Sequence, residues 1–203
     1  MRSCLECGRR PNVPSNPWCR NCVRNRPTND SSMNFIEGDN PEQEVYIAGP
    51  FFNPEQVLIV EEIESILDAA GITYFSPMRE GGVVADNPNL KARDVFRNDC
   101  LGIVRCKWVL CIGVYVGVEL ARIDNATGTQ HTVYVPDTGT VWEAGFATAL
   151  GKPVVGYAPV DTPTHRINLM LTECWSHVCY GHEELRLFVA GNFRKQSWKG
   201  GAR

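Results

Sequence analysis

Two carboxylates flank the start of a predicted helix in the segment Asp137-Thr-Gly-Thr-Val-Trp-Glu143. The pattern predicts a helix over Thr140–Leu150, so Glu143 is expected in its first turn, where free N–H groups and the helix dipole favour an anion. An ionised carboxylate is the form that could attack an anomeric carbon as a nucleophile. The spacing Thr140-x-x-Glu143 also matches a capping box, in which Glu143 would only accept a bond from the Thr140 backbone. The segment alone leaves both interpretations open.

A further carboxylate, Asp99, lies beside the apolar stripe of a helix predicted over Leu90–Val104. It follows Phe96 by three residues, which places it at the edge of the buried face. Burial would raise the pKa of this carboxyl group and suit it to donate a proton. The alternative is a surface carboxylate paired with Arg93 or Arg97.

The segment Tyr46-Ile-Ala-Gly-Pro-Phe-Phe52 predicts a strand that ends at a glycine before two aromatic residues. Gly49 would let a ligand approach the backbone closely, and Phe51 or Phe52 could stack on a planar base. A plain strand-to-helix turn with one aromatic side chain in the core is the alternative. Neither a G-x-G-x-x-G motif nor a P-loop occurs, so no dinucleotide or triphosphate site of those kinds is predicted.

Strand and helix patterns alternate from about residue 44 and determine where these residues meet. Strands are predicted over five short apolar runs: Val45–Ala48, Ile72–Phe75, Trp108–Val114, Pro153–Tyr157 and His177–Cys179. The alternation predicts an α/β fold with a Rossmann-like or flavodoxin-like, mostly parallel five-stranded sheet and helices on both faces. Since such sheets bind ligands beyond the carboxyl ends of their strands, chemistry is expected just after Ala48, Phe75, Val114 and Tyr157.

Three other segments have simpler interpretations. By itself, Ile167-Asn168-Leu169-Met170 is an ordinary amphipathic turn with its apolar residues in the core. Residues 117–136 resemble an insertion, with a hairpin predicted through Thr132–Val135. Residues 193–203 are predicted to form a loose basic C-terminal tail.

Four cysteines near the N-terminus, Cys4-x2-Cys7-x11-Cys19-x2-Cys22, predict a structural Zn²⁺ site. Paired C-x-x-C knuckles supply four thiolates in a closed tetrahedral site, and so short a segment has too little core to fold without metal. A redox pair or disulfides are the alternative. The surrounding arginines could contact the phosphates of nucleic acid, or they could form a solubilising face or a protein-docking module.

The whole chain limits the classes of protein that come into question. Its 203 residues are predicted to divide into a zinc-binding module at 1–27, a linker at 28–43, a catalytic domain at 44–192 and the tail at 193–203. A net charge of −3 gives no global attraction to nucleic acid. No apolar run is long enough to cross a bilayer, and no export signal is apparent, so a cytoplasmic location with reduced thiols is expected.

Taken together, these segments resemble the nucleoside 2-deoxyribosyltransferase family from Tyr46 to Asn192. The resemblance rests on the strand with its two aromatics, Arg97-Asn98-Asp99 before Trp108–Tyr115, Asp137…Glu143 with Ala144-Gly145-Phe146-Ala147 and Gly151-Lys152, and Ile167–Met170. It implies transfer of a 2-deoxyribosyl group between nucleobases. It also implies that catalysis needs neither a metal nor an organic cofactor, and that the chain forms at least a dimer with shared active sites.

The resemblance further implies a role for each site residue. Glu143 would be the nucleophile that forms a covalent ester with C1′, Tyr46 would orient it, and Asp99 would be the general acid and base. Asp137 would hold the sugar, and Asn168 would reach the 5′-hydroxyl of a neighbouring subunit's substrate. The other substrate-binding residues would be Gly49, Phe51, Phe52 and Met170, with Phe52 lining the base pocket.

The sequence leaves two alternatives to the transferase open. The first is an N-glycoside hydrolase, in which water replaces the acceptor base and the substrate is a 2′-deoxynucleoside or its 5′-monophosphate. Asp137 would repel a 5′-phosphate, which favours nucleosides, and Arg79 is the cation that could offset this repulsion. The second is a non-catalytic, zinc-bearing nucleotide-binding protein on the same scaffold.

Overall fold

The computed structural model of the chain describes residues 43–80, 91–113, 118–123, 127–128, 130–159 and 167–200. All of them belong to one compact unit, Gly38–Arg203. The cysteines of the predicted zinc site (Cys4, Cys7, Cys19 and Cys22) lie outside the described residues, as does nearly all of the predicted linker 28–43. Both therefore stay predictions. Within the described ranges, no group of three or more His, Cys, Asp and Glu side chains is arranged to hold a metal ion.

Five strands form one sheet in the order β2-β1-β3-β6-β7, with β1 at Gln43–Ala48, β2 at Tyr74–Phe75, β3 at Cys106–Cys111, β6 at Val154–Ala158 and β7 at Trp175–Tyr180. All four neighbouring pairs are parallel. The chain moves from β1 to one side for β2 and then to the other side for β3, so the strand order switches at β1. This confirms the predicted five-stranded parallel sheet and marks the crevice beside β1 as the expected ligand site.

The helices connect these strands, with α1 at Pro54–Ala69, α2 at Pro77–Glu80, α3 at Ala92–Arg105, α4 at Thr138–Ala149, α5 at Leu169–Thr172 and α6 at Gly181–Val189. Residues at both ends of α1 explain where this helix begins and ends. The Asn53 side chain accepts a hydrogen bond of 2.9 Å from the Gln56 backbone N–H, Pro54 is the first helical residue, and Gly71 follows the helix at φ 68°. Asn53 binds a free N–H of the first turn, and Pro54 has no N–H that would be left unpaired there. Gly71 tolerates the positive φ that ends the helix.

Strand β1 divides the core into two clusters, because successive side chains of a strand point to opposite faces of the sheet. Val45 and Ile47 pack in the cluster that also contains Ile63 and Leu67 of α1. Tyr46 and Ala48 pack in the other cluster, with α3 and α4. The alternation therefore turns Tyr46, a residue with no exposed surface, toward the two helices that carry the candidate carboxylates.

The predicted insertion contains the predicted hairpin. Strands β4, at Val118–Ile123, and β5, at Gln130–Val135, pair antiparallel over their full length in a separate two-stranded sheet. The hairpin follows β3 and precedes α4. None of the helices in the described part of the chain combines the length and apolar character that crossing a membrane requires.

The prediction of a loose C-terminal tail is wrong for residues 193–200, which dock against edge strand β7. The Val178 backbone N–H donates to Gln196 O at 3.1 Å, and the Gln196 N–H donates to Nδ1 of the buried His177 at 3.1 Å. The Trp198 ring lies edge-on to Trp175, with 5.7 Å between ring centroids. The aromatic residues of the segment make apolar contacts that its basic composition does not predict. The docked backbone also covers part of the edge of the sheet at β7.

Candidate active site

A cleft of about 370 Å³ lies between the first halves of α3 and α4. Helices that cover a parallel sheet start near the carboxyl ends of the strands, so this cleft lies at the expected edge. Helix α3 contributes Ala92, Val95, Phe96 and Asp99, and helix α4 contributes Gly139, Trp142 and Glu143. Two carboxyl groups therefore face one largely apolar cleft.

A hydrogen bond from Tyr46 fixes the position of Glu143. The Tyr46 hydroxyl donates to Glu143 Oε1 at 2.5 Å, across 97 residues of sequence. The Tyr46 ring stacks on Phe75 of β2, with ring centroids 5.4 Å apart and planes 8° apart. Burial and the nearby Glu143 charge hold the pKa of Tyr46 well above its usual value, so the hydroxyl stays a donor. A rigid core tyrosine thus presents its proton to the candidate nucleophile.

The capping-box interpretation of Glu143 is wrong. Helix α4 begins at Thr138, two residues earlier than predicted, so Glu143 lies beyond its first turn. The N-cap is Asp137, whose Oδ2 accepts hydrogen bonds from the Thr140 backbone N–H at 2.8 Å and from Thr140 Oγ1 at 3.1 Å. The free N–H groups at the start of α4 therefore bind Asp137. Glu143 instead accepts its hydrogen bond from Tyr46.

Asp99 faces the cleft from α3, and its Oδ1 is buried without a hydrogen-bond partner. A buried carboxylate oxygen without a donor is costly, which favours the protonated form of the group. Burial raises the pKa of Asp99 to about 6. A carboxyl group with this pKa can hold or release a proton near neutral pH, as a general acid and base requires.

The two carboxyl groups titrate as a pair. Burial raises the pKa of Glu143 to about 8; the hydrogen bond from Tyr46 lowers it, while the charges of Asp99 and Asp137 raise it further. With pKa values of about 6 and about 8, the pair holds one proton between those limits. Nucleophilic attack needs the arrangement in which Glu143 is ionised and Asp99 is protonated.

The variant Tyr46→Phe is expected to shift the pH dependence of kcat/KM. The wild-type profile should be a bell that falls below about pH 6, where both carboxyl groups are protonated, and above about pH 8, where neither is. Without the hydroxyl, ionised Glu143 loses a charge-assisted hydrogen bond, so its pKa rises further, by about one unit. The alkaline limb should move up by that amount. The maximum should fall about tenfold, because ionised Glu143 becomes a rarer form of the singly protonated pair.

The matched control for this measurement is Tyr74→Phe. The Tyr74 hydroxyl donates to Asp68 Oδ2 at 3.4 Å, and its ring packs against the opposite core cluster. This variant should keep both limbs of the profile. An alkaline limb that stays in place in Tyr46→Phe would show that the tyrosine does not control the titration of Glu143.

Several predicted substrate-binding residues are not among those that line the cleft. Phe51 is half-buried and Phe52 is 66% exposed, and their rings stack on each other with centroids 5.3 Å apart. A Cβ at Gly49 would lie 2.7 Å from Ile112 Cδ1, so this glycine allows close packing against the end of β3. The predicted close approach of a ligand at Gly49 stays untested.

Asn168 and Met170 lie at the start of α5, on the surface. The prediction that the apolar residues of this turn belong to the core is wrong for Met170, which is 75% exposed, and for Leu169 at 47%. Asn168 is the N-cap of α5, and its Oδ1 accepts from the Met170 backbone N–H at 2.9 Å. The Asn168 side-chain amide keeps its NH₂ group for other partners. Within this chain, neither residue lines the cleft.

Two aromatic residues that line the cleft have no predicted role in it. Trp142 of α4 and Phe96 of α3 contact each other, with ring centroids 5.2 Å apart and planes 51° apart. Phe96 fits the apolar stripe of its helix, a pattern that gives no sign that the side chain is 42% exposed. The sequence gives one sign that Trp142 lies near the site, because this residue directly precedes the candidate nucleophile in a predicted helix.

Two carboxyl groups that face one cleft, one bound by a tyrosine and the other with a buried oxygen that has no donor, form the kind of pair that cleaves glycosidic bonds. The fold and the site therefore define an α/β protein whose candidate active site contains two carboxyl groups. Residues 45–184 match the family model described as nucleoside 2-deoxyribosyltransferase. Because the match covers well over half of the chain, the chain belongs to this family, and it is a transferase enzyme.

Solved structures agree with this assignment. A 2-deoxyribosyltransferase from the psychrotolerant bacterium Bacillus psychrosaccharolyticus is 27% identical, with a TM-score of 0.56 over 76% of this chain and 98% of that chain. A conserved protein from Enterococcus faecalis V583 is 16% identical, with a TM-score of 0.53 over 74% of this chain and 99% of that chain, a likeness of fold alone. Among curated proteins, none matches this chain.

Proposed function

We propose that the chain exchanges the base of 2′-deoxynucleosides through a covalent deoxyribosyl ester on Glu143. The observation that carries the proposal is the hydrogen bond from the buried Tyr46 to Glu143, together with the unpartnered oxygen of Asp99, which lines the same cleft as Glu143. A role of Glu143 in capping the helix is removed by Asp137, which makes that contact instead. A half-buried carboxylate that faces a cleft, accepts a hydrogen bond from one tyrosine and does not cap its helix fits a nucleophile.

The first half-reaction breaks the bond between C1′ and the base nitrogen. A Glu143 carboxylate oxygen attacks C1′ to form the ester bond, the electrons of the glycosidic bond pass to the departing base, and Asp99 gives that base its proton. The second half-reaction reverses these steps with a different base. Asp99 takes the proton of the incoming base, the base nitrogen attacks C1′, and Glu143 leaves as a carboxylate. Both halves need only the two carboxyl groups.

Substrate binding would create the reactive arrangement of the shared proton. Positive charge develops on the sugar carbon as the glycosidic bond weakens, and it lies nearest the nucleophile. That charge stabilises ionised Glu143, while the basic nitrogen of the departing base draws the proton to Asp99. Substrate binding therefore favours the arrangement from which the reaction starts.

The charges around the cleft favour nucleosides over nucleotides. Asp137 begins the helix that carries Glu143, and its negative charge would repel a 5′-phosphate. Arg79, the cation suggested to offset this repulsion, is bound to other partners. Its guanidinium bonds to the buried Glu64 at 2.7 and 3.0 Å and to Glu61 at 3.2 Å. An arginine held by two carboxylates of α1 is a poor phosphate ligand.

Three incubations of the purified protein test the proposal. Deoxyinosine with adenine should yield deoxyadenosine and hypoxanthine, measured by chromatography. Deoxyinosine alone should yield far less free hypoxanthine than the exchange reaction does; fast release would instead indicate a hydrolase. Deoxynucleoside 5′-monophosphates should react poorly. No turnover in any of the three would contradict the enzymatic proposal and favour a binding protein.

We further propose that the active site is completed in an oligomer of at least two chains, with Asn168 reaching the substrate of a neighbour. The exposed apolar side chains of Leu169 and Met170 support a contact surface at α5. Analytical ultracentrifugation should give at least a dimer. Mixing Glu143→Ala with Asn168→Ala chains should restore part of the activity, because some sites would then combine two intact contributions. Monomers with full activity would contradict this assignment.

A further inference from the structure

The cleft has an aromatic wall that consists of Phe96 and Trp142. Trp142 is 44% exposed and Phe96 is 42% exposed. Both line the same cleft as the carboxyl groups of Asp99 and Glu143. Exposed apolar surface beside polar groups of this kind is typical of a binding site for a ligand with one flat apolar part.

The Trp142 indole packs against two other aromatic rings. Phe146 follows it by one helical turn, and the two rings stack with centroids 5.1 Å and planes 17° apart. Phe96 contacts the same indole from α3. An aromatic side chain packed on two others has little freedom left to lose when a ligand binds, so the wall is preorganised.

We infer that Trp142, with Phe96 beside it, is the platform on which the nucleobase stacks while its sugar carbon faces Glu143. The inference rests on the proposed function, since it takes the ligand to be a nucleoside. Trp142 and Glu143 are consecutive residues of α4, and both reach the same cleft. A ligand whose flat base is joined directly to the reacting sugar carbon requires a stacking surface adjacent to the nucleophile.

The other lining residues show how the base is recognised. Among the described residues that line the cleft, Ala92, Val95 and Gly139 offer no polar side chain, and the two carboxyl groups are used in the reaction. Base binding therefore depends mainly on stacking, which every base can provide because every base has a π-face. Loss of the platform should weaken both purines and pyrimidines.

Phe52 is the rival for this role. Its ring is 66% exposed and stacks on Phe51, and neither ring is among the described residues that line the cleft. A base stacked there would not lie beside the two carboxyl groups. The structure therefore favours the helix-borne aromatics over the pair that follows β1.

Equilibrium dialysis of free adenine and of free cytosine tests the platform without requiring turnover. Stacking on an aromatic side chain is worth about 1–3 kcal/mol per base by alanine substitution, so Trp142→Ala should weaken binding of both bases by a factor of about 5 to 140. Trp142→Phe keeps a π-face and should regain most of the affinity. Leu187→Ala, at an apolar position of α6 that is 42% exposed, is the control and should bind like the wild type.

Kinetics on the same variants separate the platform from the chemistry. Trp142→Ala should raise KM for the acceptor base by the same factor, with a much smaller change in kcat. Base affinity and KM unchanged in Trp142→Ala, or a loss confined to Phe52→Ala, would overturn the platform while leaving base exchange intact. Base binding that depends on Trp142 in a wild-type protein without exchange activity would support the platform and contradict the proposed function.

Discussion

Glu143→Ala is expected to lower the rate of base exchange by about 10⁴-fold or more, the scale on which enzymes lose activity when a covalent nucleophile is removed. Without the carboxylate no ester can form at C1′, so exchange by two displacements has no route. Asp99, Tyr46 and the aromatic wall would remain. They could still bind a nucleoside and protonate its base, but they offer no group that can hold the sugar between the two bases.

The companion variant Glu143→Gln separates this chemical loss from a structural one. Its amide oxygen can still accept the Tyr46 hydrogen bond, so no buried hydroxyl is left without a partner. The helix keeps its Asp137 cap in both variants. Thermal unfolding of Glu143→Gln should therefore match that of the wild type, while its exchange activity should be as low as that of the alanine variant.

Mass spectrometry of an acid-quenched reaction gives the direct readout. In the wild type, a peptide from helix α4, Thr138–Ala149, should carry the added mass of one deoxyribosyl group. Neither variant should carry it. Exchange within tenfold of the wild-type rate in Glu143→Gln would contradict the assignment of the nucleophile, whatever the spectrum shows.

The parts of the fold that local chemistry determines were predictable from the sequence. Asn53 and Pro54 begin α1 and Gly71 ends it because caps and left-handed turns depend on a few neighbouring residues. The strands follow from short apolar runs between such signals. The start of α4 was misjudged by two residues, because Asp137 and Thr140 can both cap a helix and the spacing to Glu143 favoured the second.

The contacts that form the site could not be predicted from local sequence patterns, because they join residues that are far apart in the chain. The bond between Tyr46 and Glu143 joins residues 97 positions apart and exists only because β1 turns alternate side chains toward α4. Periodicity places Phe96 on the apolar stripe of its helix, but such a stripe does not reveal where a cleft interrupts the packing. The tail was misjudged for a related reason, as its docking depends on a partner in β7.

Asp99→Asn is expected to lower kcat by about 10²-fold to 10⁴-fold for a natural base, the usual contribution of a general acid. The amide fills the same space but has no proton to give to the departing base. A substrate whose base leaves readily without protonation should lose far less. This contrast between leaving groups identifies an acid in a way that a misfolded or weakly binding variant would not reproduce.

The pH profile of Asp99→Asn should also change shape. With the acid absent, only the ionisation of Glu143 matters, so the residual kcat/KM should rise with pH and then stay level instead of falling above about pH 8. The rise should begin at lower pH than the pKa of about 8 implies, because the Asp99 charge that raises the pKa of Glu143 is gone. Asp94→Asn, an exposed position in the first turn of the same helix, is the matched control and should keep the bell. If the alkaline limb persists in Asp99→Asn, the acid is another group, and the proton that the two carboxyl groups share has no part in the departure of the base.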